Sequence, residues 1–170
     1  CDIDSLDNDF IYYLHLLLDS VFGRLIVCDN TVSNGKINGL TSIKTLKEFP
    51  VAVVPSDIQN AASKLDQTIG YILEIFKEEE DIQFIESARS FMFELRDDFV
   101  LEIYANELFE ANGIDIVNSF VSIIKDSEDT DLKALAPKIL DSVTNPDSAL
   151  LSNMRRLRVL IGNIVHNLEQ

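Results

Sequence analysis

The sequence predicts an all-α fold, a right-handed stack or bundle of about seven to eight helices, on three observations. Apolar residues recur at three- and four-residue spacing along most of the chain. Glycine and proline are scarce, 6 and 4 among 170 residues, and several fall between the periodic stretches. The β-branched run Val51–Val54 has no strand partner elsewhere and reads as a buried extended linker. A chain this long makes one domain with a real core. The domain spans 1–170, divisible into N-terminal helices over 1–50 and a helical repeat region over 56–170.

The elements follow in order. Phe10, Tyr13, Leu14, Leu17, Leu18, Val21 and Leu25 predict one long helix from Leu6 to Val27, with Ser5 as cap. Polar turn residues follow, then a short helix over Leu40–Glu48 that stops before Pro50. Ser56 caps a helix from Asp57 to Phe76. Glu78–Asp81 is a solvated corner, followed by helices over Ile82–Arg96 and Phe99–Ala111, the latter ended by Asn112-Gly113. Helices over Ile114–Lys125 and Asp131–Val143 come next. Asn145 and Pro146 are expected to open the last helix as cap and first-turn proline. In it Leu150, Met154, Leu157, Ile161, Ile164 and Leu168 form a heptad-like seam that needs a partner.

Sliding the chain by 48 residues superposes Ile69 on Val117, Ile72 on Phe120, Ala88 on Ala136 and Leu95 on Val143. The unit is helix, acidic corner, helix, with a small alanine on the second helix. The stretch from Asn106 to Ile114 resembles the first-helix end and glycine turn of an armadillo repeat. Phe120 to Asp129 resembles its second helix and acidic corner, and Leu132 to Val143 its third helix. The armadillo/HEAT-like resemblance covers about residues 58–144, and Pro137 departs from the family's unbroken third helix. It implies protein binding along a groove rather than catalysis, and no groove residue of the family has a counterpart here.

Charge narrows the function. The chain carries 29 acidic and 14 basic residues, net −15. That opposes nucleic-acid and anionic-membrane binding, which need basic patches. The excess is local: residues 51–110 carry net −10. No apolar run reaches the 18–20 residues of a membrane span. No nucleophile elbow, phosphate loop or paired zinc histidines occurs, so neither enzyme activity nor a cofactor or metal is expected. The loop around Asn34-Gly35 looks like the centre of an EF-hand but lacks its third and twelfth ligands. His15 and His166 read as packed or solvated helix residues, the latter set against the helix dipole.

The function expected is a non-enzymatic adaptor or scaffold that presents an acidic helical surface to a basic protein partner. Its candidate residues are Glu94, Asp97, Asp98, Glu102, Glu107 and Glu110. The one basic cluster, Arg155, Arg156 and Arg158, either pairs with those acids internally or meets a partner. The alternative is a secreted or lipid-anchored bundle holding a hydrophobic small molecule among Phe10, Tyr13, Phe22, Phe76, Phe84, Phe91 and Phe93. Cys1 and Cys28 are either a disulfide or two free thiols. Cys1 as first residue fits a lipid-modified lipoprotein or the edge of a fragment. A cytoplasmic setting with free thiols is preferred, an extracellular one being the alternative.

Overall fold

The computed structural model describes residues 7–32, 47–75, 82–127 and 131–168. The short helix expected over Leu40–Glu48, the Glu78–Asp81 corner and the Asn34-Gly35 loop lie wholly or mostly outside them. So do Cys1 and the Cys28 side chain, and with them the disulfide question. The described residues hold eight helices and no strand, as an all-α fold requires.

Helix α1 runs over Asn8–Asp19, capped by the Asp7 side chain rather than Ser5. The single long first helix does not form. The chain leaves α1 at Ser20, in extended conformation, and restarts as α2 over Val21–Val32. The two axes are bent by 74°. Ser20 is fully buried and holds both ends of the break. Its hydroxyl donates to the Leu17 carbonyl at 2.7 Å and accepts the Gly23 N–H at 3.0 Å. The Val21 N–H donates to Asp97 at 3.0 Å, so a distant carboxylate helps cap α2.

The segment after Phe49 forms neither helix nor strand and is not buried, for Val53 is 99 % exposed. Main-chain contacts hold it instead: the Tyr13 hydroxyl donates to the Ala52 carbonyl at 2.8 Å, and the Tyr104 hydroxyl to the Pro50 carbonyl. Helix α3, Ser56–Ile75, buries Ala61, Ala62, Leu65, Ile69 and Ile72.

Helix α4 is one unbroken element over Ile82–Tyr104, where the sequence predicts two. Asp97 and Asp98 look like a boundary, but the Val21 N–H and Arg158 satisfy them from other helices and neither a glycine nor a proline stops α4. The break falls at Ala105, before the short α5, Asn106–Ala111. Gly113, at φ +63°, ends α5 as expected. Its N–H donates to Glu110, and that of Ile114 to Phe109, the paired bonds of a Schellman turn.

Helix α6 is Ile116–Lys125 and α7 is Leu132–Thr144, capped by Asp115 and Asp131. Pro137 sits inside α7 without ending it. The last helix, α8, spans Ala149–Leu168 and starts later than expected. Asn145 instead turns the chain by accepting the Asp147 N–H, and the Ser148 carbonyl takes the first helical bond.

Helices α3 and α4 are central. Helix α1 packs along α3, α2 returns to α4, and α6 and α7 pack on both central helices. Helix α8 lies across α6 and α7 and touches α4. Phe99 of α4 and Phe120 of α6 meet edge to face, ring centres 5.8 Å apart, in the core. The seam of α8 is half used: Leu150, Met154 and Leu157 are buried, whereas Ile161 and Ile164 are exposed. No single described helix is long and apolar enough to cross a membrane. The bent pair α1–α2 matches a span by length and composition only, and α1 buries Tyr13, Leu16 and Leu17 in the protein.

Candidate partner-binding groove

The bend at Ser20 swings α2 across α4 and opens a groove of about 310 Å³ between them. Val21, Phe22, Leu25 and Leu101 give it an apolar lining. Leu25 is 63 % exposed and Val21 49 %, large aliphatic surface that the fold leaves uncovered. Glu94, Asp97 and Asp98 of α4 and Arg158 of α8 form the polar rim. Four of the nine candidate partner-binding residues therefore meet in one place.

The rim is partly self-neutralised. Arg158 forks onto Asp98, Nη1 to Oδ1 at 2.8 Å and Nη2 to Oδ2 at 3.0 Å, and lies 3.6 Å from Glu94. The Asp98 side chain is 3 % exposed. Burial pushes its carboxyl up to about 7, against the pull of Arg158 and with help from Glu94 and Asp97. Asp97 accepts from Arg96 Nε at 3.1 Å as well as from the Val21 N–H. Glu94, about half exposed, is the rim carboxylate most open to a partner.

The other candidates stand elsewhere. Glu102 is buried and structural: it accepts the N–H groups of Ile116 at 2.7 Å and Val117 at 3.1 Å, capping α6. Burial pushes it up to about 7, those two N–H groups opposing the rise. Glu107 and Glu110 are exposed on α5, where Glu110 accepts from Asn106 at 2.8 Å. Arg155 and Arg156 flank a separate depression with Pro146 and Val159, and Arg156 donates to the Gly113 carbonyl. Internal pairing thus holds for Arg158, while Arg155 and Arg156 lie off the groove.

Of the aromatic residues considered for an apolar ligand, Phe76 and the Phe84 side chain lie outside the described residues, and the others are dispersed. Phe22 lines the groove, Phe93 lines a different cleft, and Tyr13 is in the core. No group of three or more metal-ligating side chains gathers among the described residues. The groove's apolar lining was not legible in the sequence, because a straight first helix would place Leu25 on its buried face. Gly23, three residues past a serine, was the available signal. Comparison with known proteins finds no matching family model, no similar curated protein and no similar solved structure.

Proposed function

We propose that this chain is a non-enzymatic protein-binding module whose α2–α4–α8 groove receives an amphipathic helix with basic flanks. The observation that carries the reading is the exposed Leu25–Val21 surface set beside a rim of three carboxylates and one guanidinium. A helix docks its apolar stripe into such a groove, and flanking lysines or arginines answer the rim. Ion pairing of Arg158 with Asp98 leaves the Glu94 side as the acidic edge.

The helical repetition supports the same class. Ile69 and Val117, Ile72 and Phe120, Ala88 and Ala136, and Leu95 and Val143 are buried at both members of each pair. An armadillo-like stacking of hairpins is the reading we attach to this, with α3–α4 as the longer hairpin and α6–α7 as the shorter.

The test is a displayed library of helical peptides selected on the wild-type chain and screened against Leu25→Glu. Selected peptides should carry an apolar stripe flanked by Lys or Arg, and lose at least about tenfold in affinity on the variant. Their binding should weaken with salt. The unfolding free energy of Leu25→Glu should stay within about 0.5 kcal/mol of wild type, since Leu25 is a surface residue. Peptides that bind both proteins equally, or an acidic consensus, would rule the groove out.

A further inference from the structure

A larger cleft, of about 580 Å³, lies between α1, α3 and α4 and is walled in part by Tyr12, Ile69, Tyr71, Leu73 and Phe93. Its size suits a small molecule. At its polar end stands Asp66, whose side chain is only 10 % exposed. Both its oxygens lie 2.9 Å from His15 Nδ1. An ionised carboxylate only accepts, so Nδ1 carries the proton. His15 itself is largely exposed, which leaves the pair open to the cleft.

The guanidinium in this cleft is already committed. Arg96 is 3 % exposed at its side chain, donates to Asp19 and to Asp97, and lies over the Phe93 ring at 4.8 Å. Its charge is thus matched within the protein, and an incoming anion would find no donor of that strength. The same pairing commits Asp19, so the carboxylate that faces the cleft beside the tyrosine rings is Asp66, held by the exposed His15 rather than by Arg96. Carboxylates and aromatic faces both favour a cation. Burial holds the Asp66 carboxyl above its ordinary range, ahead of the opposing effect of His15, so a cationic partner is the group that would relieve it.

We infer that this cleft binds a small organic cation, an ammonium or amidinium carried on a flat apolar body, with Asp66 as counter-ion and Tyr12 and Tyr71 beside the apolar part. The site shares no lining residue with the α2–α4–α8 groove, so either can fail without the other.

The experiment is a nuclear magnetic resonance titration of the full chain at physiological salt with three probes of one shape: benzamidine, neutral benzamide and anionic benzoate. Benzamidine should give saturable millimolar shifts confined to amides of α1, α3 and the facing part of α4. Benzamide and benzoate should bind at least about tenfold more weakly. Asp66→Asn should weaken benzamidine at least about tenfold and leave benzamide unchanged. Tyr12→Ser, at a residue 40 % exposed, should weaken benzamidine without altering the fold. Equal binding of the three probes, shifts spread over the whole acidic surface, or full affinity in both variants would overturn the assignment.

Discussion

Gly23→Ala should cost about 3 kcal/mol or more, or prevent folding, read as the urea midpoint followed by circular dichroism. The cause is contact rather than conformational freedom. A Cβ at position 23 would lie 2.0 Å from the Leu17 carbonyl oxygen, 2.9 Å from its carbon and 3.0 Å from the Leu18 Cα. All three are backbone atoms of α1, so no side chain can swing aside. Relief requires the bend to open, and opening it pulls the Gly23 N–H from Ser20 and the Val21 N–H from Asp97. Gly162 is the matched control, a helical glycine of α8 with nothing within 4 Å of the added atom. Gly162→Ala should be neutral or stabilise by about 0.5–1 kcal/mol through helix propensity. If Gly23→Ala melts with the wild type, the close approach of α1 and α2 is wrong.

The second large effect is a dependence of stability on pH set by Asp98 and Glu102. Both folded carboxyls sit at about 7, above their ordinary values of 3.8 and 4.5. Between roughly pH 4 and 7 the folded chain therefore holds protons that the unfolded chain has released. Stability falls as pH rises through that window and levels off above it, by up to about 4 kcal/mol for Asp98 and about 3 kcal/mol for Glu102. Self-repulsion of the net −15 acts in the same direction, so the comparison must be with a variant. Glu102→Gln keeps an acceptor for Ile116 and Val117 but cannot titrate. Its loss of stability between pH 5 and 8 should be smaller than wild type by about 1–2 kcal/mol, measured by urea unfolding at both values. Glu102→Ala should destabilise at both, by about 2 kcal/mol, because it strips the first two N–H groups of α6. An unchanged slope in Glu102→Gln would show that Glu102 does not titrate in this range.

Those two sites also mark where sequence reasoning reached and where it stopped. Helices were legible because their apolar residues repeat with the helical period, and a local stop such as Gly113 acts within a few residues. The boundaries that were missed depend on distant groups. Ser20 breaks α1 from α2 because Asp97, 77 residues later, receives the chain on the far side, while Asp97 and Asp98 continue α4 because the Val21 N–H and Arg158 hold them. The acidic rim was found from composition, since charge is countable. Its apolar lining was not, because it follows from the bend. The His15–Asp66 pair spans 51 residues and has no local pattern at all.

The capping of α6 by Glu102 has a consequence for how the molecule comes apart. Ten residues are too few to sustain a helix alone in water. Helix α6 has its first two N–H groups answered only while α4 lies beside it, and Phe120 reaches Phe99 through the same contact. The Asp98–Arg158 fork, one turn away along α4, fastens α8 in turn. Helix α4 is therefore a shared spine from which α6 and α8 cannot be peeled one at a time. Amide hydrogens at the start of α6 should exchange only with global opening, as slowly as those in the middle of α4, although they belong to a much shorter helix.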